Sequence, residues 1–216
     1  MTGWVDTHCH LDAPEFRSDT PAVRARAATN NVALCVIPAV GAFNFDAARE
    51  LAHQTGDAYA LGTPPLYTPQ AADADVALLD AALTAHRDDP RLVAVGEIGL
   101  DLYRENPQFE RQQYLLDEQL RLAKRYDLPV ILLSRRTHDM LALHLKRHSL
   151  PRTGVVHGFA GSLQQAERFV QLGYKIGVGG TISYPRASKT RDVMAQLPLS
   201  SLILETDAPD MPLNGY

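Results

Sequence analysis

The chain has 216 residues, 45% of them hydrophobic, with 21 Lys+Arg against 25 Asp+Glu for a formal net charge of −4. That length suits one large domain with a sizeable core or two small ones, and the slight acidity excludes a global basic footprint, so an anionic ligand has to be met by a local cluster or by metal ions. No positively charged start leads into an apolar run and no window approaches a membrane span, so a cytoplasmic protein with no membrane partner is expected.

The first strand-like run, residues 4–8, leads into Asp6-Thr7-His8-Cys9-His10-Leu11-Asp12. Strand side chains alternate, so His8 and His10 share one face while Cys9 points away from it. Two imidazoles spaced in this way form a chelating pair for a divalent metal, although such pairs also arise as incidental surface histidines. Cys9 and Cys35 lie in apolar runs and read as small buried thiols rather than a disulfide. This points to a reducing compartment.

Further strand-like runs fall at residues 32–38, 58–62, 92–97, 130–133, 154–157, 174–178 and 202–205, which makes eight. Helix starts lie between them. Thr20-Pro21 and Asn106-Pro107 each place a capping side chain before a proline, and Asn44 and Ser162 are caps for two more. In residues 108–126, Phe109, Leu115, Leu116, Leu120 and Ala123 recur near the helical period, until Pro129 hands over to the next strand.

Eight strands alternating with helices predict a parallel sheet and a TIM-like (β/α)8 barrel, with an open doubly wound sheet as the alternative. The absence of repeats and linkers predicts a single domain over residues 1–216. A closed barrel wants an outer helix after its eighth strand, and residues 208–216 offer none. The chain therefore reads as C-terminally short, or covered there by something else. Uncovered apolar surface beside the first and eighth strands predicts self-association.

Several runs terminate in a metal-ligand type: His8 and His10 after the first, Glu97 on the fourth, His157 on the sixth, and Glu205-Thr206-Asp207 on the eighth. Each alone is explained by a strand surfacing. Four at one end of one sheet, where barrels keep their chemistry, predict a divalent-metal centre.

The blocks Asp6-Thr7-His8-Cys9-His10-Leu11-Asp12, Gly96-Glu97-Ile98-Gly99-Leu100-Asp101, Ser134-Arg135, His157-Gly158-Phe159-Ala160-Gly161-Ser162 and Leu204-Glu205-Thr206-Asp207-Ala208-Pro209 occur in that order. Together they resemble the TatD family of metal-dependent hydrolases, most closely its YjjV-like subgroup. The resemblance implies an amidohydrolase-type barrel holding divalent Zn, Mg or Mn. It also implies deoxyribonuclease activity on DNA or on a small phosphoester. His8, His10 and Asp207 would be ligands of a first ion, Glu97 would bridge two ions, and His157 would bind the second.

Two positions depart from the family pattern. Leu133 stands where the family has a histidine before Ser134-Arg135, and Gly62-Thr63-Pro64-Pro65 stands where it has Gly-x-His-Pro. The first ion keeps its ligands and the second loses one, so one well-held ion and one weak or absent ion are expected.

The resulting mechanism is attack by a metal-activated water on a phosphodiester, with Asp207 as base, Glu97 in the centre and Arg135 supplying the charge that a weak second ion cannot. Arg104, Arg186 and Lys189 are weaker candidates for that charge. The run Gly177-Val178-Gly179-Gly180-Thr181 reads either as a phosphate cradle or as tight turns. His144 and His148 read as a basic outer helix face, and His53, His86 and His138 receive no role. Tyr103 reads as a packed aromatic or as a base-stacking ring. Competing functions are hydrolysis of a small amide or lactone on the same barrel, and an impaired family member without activity.

Overall fold

The computed structural model describes residues 3–215; Tyr216, the end of the C-terminal stretch considered above, lies outside them. Among these residues eight strands alternate with seven α-helices: β1 (Trp4–Asp6), α1 (Thr20–Thr29), β2 (Val32–Pro38), α2 (Phe45–Thr55), β3 (Ala58–Leu61), α3 (Asp75–Ala85), β4 (Leu92–Asp101), α4 (Phe109–Arg125), β5 (Val130–Arg135), α5 (His138–His148), β6 (Gly154–Val156), α6 (Leu163–Gln171), β7 (Lys175–Val178), α7 (Ser188–Gln196) and β8 (Leu202–Leu204). All eight expected strands form, with small shifts at their ends.

The strands lie in sequence order from β1 to β8, and every ladder is parallel. The two edges meet just above the sheet. Thr7 N–H donates to Leu204 O at 3.1 Å, Asp207 N–H to His8 O at 2.8 Å and His10 N–H to Ala208 O at 2.9 Å. Sequential order with joined edges is a TIM-like (β/α)8 barrel, and it rules out the doubly wound alternative, whose strand order reverses.

Apolar side chains fill two compartments. Val36, Ala58, Ala60, Ala94, Ile131 and Val155 pack inside the barrel. A larger cluster, including Ile37, Leu61, Val95, Leu132, Leu116, Leu120 and Phe169, packs between the strands and the helices. From β2 to β6 residues alternate between these layers, so these strands are buried on both faces and read as continuous apolar runs. The α4 helix follows its expected stripe, with Leu115, Leu116, Leu120 and Ala123 buried.

The caps were less legible. Ser162 forms a full capping box with Gln165 at the start of α6. Thr20 instead lies inside α1, its hydroxyl donating to Phe16 O at 2.8 Å. Asn44 stands at the N-cap position of α2, but its side chain accepts from Val40 N–H and donates to Asp12. Asn106 falls short of α4, whose N-cap residue is Gln108. In each case a tertiary partner or the loop path outcompetes the local cap.

Cys9 and Cys35 are both free and buried, as expected. A hydrogen bond with Cys35, together with burial, pushes the Cys9 thiol up from its ordinary pKa. No helix follows β8 among the described residues. Beside it Trp4, Leu204 and Leu213 are 60%, 48% and 51% exposed, and they line an apolar cleft of about 630 Å³ with Phe16, Val32 and Ile182. Among the described residues no helix is long and apolar enough to cross a membrane.

Candidate metal centre

His8, His10, His157 and Asp207 from just past the ends of β1, β6 and β8 converge with Glu97, from within β4, at the C-terminal mouth of the barrel. His157 lies two residues past Val155, an inside residue, so the period of two turns it into the mouth. Glu97 lies within a shift of register between Val95 and Ile98 that re-aims the strand locally. Asp207 holds a left-handed backbone with φ of 58°, a conformation that a non-glycine residue keeps only where surrounding structure enforces it. The backbone bond to His8 O enforces it here.

Around this mouth the donor atoms stand close together. His8 Nε2 lies 3.2 Å from His10 Nε2. Asp207 Oδ1 is 3.3 Å from the first and 3.7 Å from the second. Ligand atoms at about 2.0–2.2 Å from one ion stand about 3–3.5 Å apart, so this triangle matches a shared divalent ion. His157 Nε2 meets Glu97 Oε1 at 2.7 Å, and the His8 and His157 rings stack at 3.9 Å. Two overlapping sets bring metal-ligand atoms close together: His8, His10 and Glu97, and His8, His157 and Asp207.

Buried as it is, His8 is pushed well below the ordinary histidine pKa, and the neighbouring charge of His157 adds to this. Burial also works against a charged His157, but the Glu97 carboxylate outweighs it and raises the imidazole to about 9. Glu97 is in turn held below the carboxylate range by His157, against the effect of burial. The buried His8 Nδ1 and His157 Nδ1 have no hydrogen-bond partner. A neutral imidazole, a carboxylate and an exchangeable proton in one largely buried cluster suit a cation.

Glu205, named in the sequence only as part of the metal-ligand-type run Glu205-Thr206-Asp207, enters the site in its own right. Its Oε1 accepts from Gly158 N–H at 2.6 Å and lies 3.9 Å from His157 Nδ1, while Oε2 is unpartnered. Burial pushes its pKa up to about 7. A side chain at Gly177 would collide with this carboxylate, its Cβ falling 2.3 Å from Oε2. A Cβ at Gly180 would meet Met211 O at 2.2 Å. These two glycines of the run at 177–181 therefore serve close packing.

Arg135 ends β5 beside the mouth, with Nη1 3.4 Å from Asp101 Oδ2. Tyr103 is 58% exposed, which overturns the packed-aromatic reading. Leu133 lies on the inward face two residues beyond Ile131, where a histidine would reach the mouth. The loop carrying Thr63 and Pro64 is pinned by Gln119, which accepts from Thr63 N–H at 2.7 Å and donates to Thr63 O at 3.1 Å. His144 and His148 are corrected too. Both ring nitrogens bond Asp117 Oδ1, at 2.7 and 2.8 Å, so they tie α5 to α4 instead of facing solvent.

The model of the family described as TatD related DNase matches residues 5–216. The chain belongs to the TatD family. It is 64% identical over 214 residues to the uncharacterized metal-dependent hydrolase YjjV of Escherichia coli, covering 99% of this chain and 82% of that protein. The crystal structure of the E. coli YjjV protein superposes with a TM-score of 0.95 at 64% identity, over 99% of this chain and 82% of that one. The 3'-5' ssDNA/RNA exonuclease TatD of a Pantoea species is 32% identical, over 94% of this chain and 78% of the exonuclease. Family and metal-ligand geometry agree on a metal-dependent hydrolase.

Proposed function

We propose that this chain cleaves phosphodiester bonds of nucleic acid, as a TatD-type nuclease. The observation that carries the reading is the triangle of His8 Nε2, His10 Nε2 and Asp207 Oδ1, at 3.2, 3.3 and 3.7 Å, at the open mouth of the barrel. His8, His10, Glu97 and Asp207 would hold one well-bound ion, with His157 as the remaining ligand of a second, weaker one. The name of the Pantoea relative supports single-stranded nucleic acid as the substrate class.

A divalent ion supplies charge neutralisation at a phosphoryl oxygen and acidifies water near neutral pH. The protein supplies the rest. Asp207 is 13% exposed, open to the mouth on one side, and takes the proton of the attacking water. Asp6 bonds Thr206 N–H and Oγ1 at 3.0 and 2.6 Å, which fixes the loop that aims Asp207. Glu205 positions the segment after β6 through Gly158. Arg135, held by Asp101, neutralises the departing side of the phosphate.

The test is hydrolysis of bis(p-nitrophenyl) phosphate and of end-labelled single-stranded DNA with added Mn²⁺, Mg²⁺ or Zn²⁺. Activity is expected to vanish in EDTA and to fall about 10²–10⁴-fold in Asp207→Asn, the usual contribution of a general base. Turnover of amide or lactone substrates with no diester cleavage under any metal would overturn the proposal.

A further inference from the structure

Beside the metal centre, on the same face of the barrel, Arg136 and Lys189 stand without an acidic partner among the described residues. Arg136 follows β5 directly, is exposed, and carries a left-handed backbone with φ of 59°. Its guanidinium lies 4.6 Å from the Tyr103 ring centroid, and that of Arg135 lies 4.4 Å from the same centroid. Arg135 has Asp101 nearby, whereas Arg136 forms no ion pair among the described residues. Two guanidiniums gathered on one exposed ring repel each other, and the ring offsets only part of that. An anion between them removes the conflict.

Arg136 also opens onto a cleft of about 620 Å³ that runs between the starts of α5, α6 and α7. Lys189 lines it and is likewise unpaired among the described residues, while the one acidic wall residue, Asp139, is engaged by Arg168 at 2.8 Å and Gln165 at 2.9 Å. The net field of the cleft is therefore positive. The first turns of α5 and α7 add to it, because neither has a side-chain cap; the Thr137 hydroxyl is spent on Leu100 O at 2.9 Å. Asp101, level with Arg135 in the sheet, stands four residues past Glu97 on β4, about 13 Å along the strand. A group bound at Arg136 is thus well separated from one reacting at the centre.

We propose that Arg136, backed by Tyr103 and facing Lys189, forms a second anion subsite that holds a backbone phosphate of a single-stranded polynucleotide while another phosphate lies in the metal centre. This rests on the phosphodiesterase reading above and deepens it. A planar guanidinium suits the paired oxygens of a phosphodiester, and the ring keeps it extended toward the strand. The subsite selects polymers over small esters, because only a chain of several nucleotides spans both positions.

Binding without catalysis isolates the subsite. Anisotropy of a fluorescein-labelled oligothymidylate, twelve nucleotides long, is measured in EDTA across a salt series on the parent, Arg136→Asn, Arg136→Lys and Arg152→Asn. Asparagine tolerates the left-handed backbone of Arg136, so the fold is preserved. Arg152, before β6 at the opposite end of the barrel, is 57% exposed and controls for the loss of one charge.

Arg136→Asn is expected to weaken binding about tenfold, the loss of one charge-assisted contact. Its salt slope should fall by about 0.7, one phosphate's share. Arg136→Lys should keep the slope with part of the affinity lost, and Arg152→Asn should match the parent. Equal affinities for Arg136→Asn and Arg152→Asn, or no binding by the parent, would overturn the subsite. Parent cleavage of bis(p-nitrophenyl) phosphate reports on the centre separately, so a failure there with these binding differences intact overturns only the phosphodiesterase reading.

Discussion

Loading the second ion position, where His157 would be a ligand, has to expel a proton. Despite burial, Glu97 raises His157 to about 9, so the metal-free site at pH 7 holds an imidazolium. A ligating imidazole is neutral, and at pH 7 the entering ion competes with a proton held by about 3 kcal/mol. About one proton is therefore released per ion bound at pH 7. The apparent association constant should climb about tenfold per pH unit from pH 7 and level off near pH 9. Isothermal titration calorimetry in buffers of different ionisation enthalpy counts the protons, and competition with a fluorescent chelator gives the affinities. His157→Gln removes the proton, so its affinity should be flat with pH over that range. A parent affinity independent of pH, with no proton released, would refute the assignment of charge within the His157–Glu97 pair.

The same proton acts on stability with the opposite sign. His157 and Glu205 both have folded pKa values above their ordinary 6.5 and 4.5, so their contributions are complete at low pH and are lost as pH rises through about 7 for Glu205 and about 9 for His157. The Tm of metal-free protein is therefore expected to fall between pH 5 and 9 and to recover with added metal; a rising Tm would contradict this. Leu133→His, on the inward face of β5, should let a second equivalent of ion bind at least about tenfold more tightly, read by mass spectrometry of the metal content. Unchanged stoichiometry would show that position 133 does not serve a second ion. Asp57, fully buried between Arg24 Nε at 2.7 Å and Cys35 N–H at 2.9 Å, is a structural test. Asp57→Ala strands a guanidinium and should cost about 3–5 kcal/mol in chemical denaturation, and a loss below about 1 kcal/mol would refute the buried-pair reading. The exposed flank of Trp4, Leu204 and Leu213 predicts concentration-dependent self-association in sedimentation velocity, and a monodisperse monomer at high concentration would count against it.

Much of this protein is readable from its residues because a parallel barrel imposes a simple code. Strands buried on both faces are short apolar runs, and a polar residue at the end of such a run has surfaced at one end of the sheet. His8, His10, Glu97, His157 and the run Glu205-Thr206-Asp207 were singled out by that rule, and the likeness to a family then chose Asp207 within the run. Ser162 was legible as a cap because its partner, Gln165, is three residues away. Glu205 was not assigned, because its carboxylate is turned into the mouth by the missing side chain of Gly177, on a different strand. His144 and His148 misled for a similar reason. The acid that pairs with them, Asp117, is on the preceding helix, and no spacing in the chain announces it.

The sequence by itself determined the order and number of strands, the two-sided burial of the sheet and the ligand types at its mouth, all of which follow from local alternation of apolar and polar residues. Only the tertiary structure decided which of those groups share charge and which cations lack a partner. The 2.7 Å contact of His157 with Glu97 and the crowding of Arg135 and Arg136 on Tyr103 join residues from different strand–helix units. Closing the barrel brings those units together at one mouth, and electrostatic character depends on distance in space.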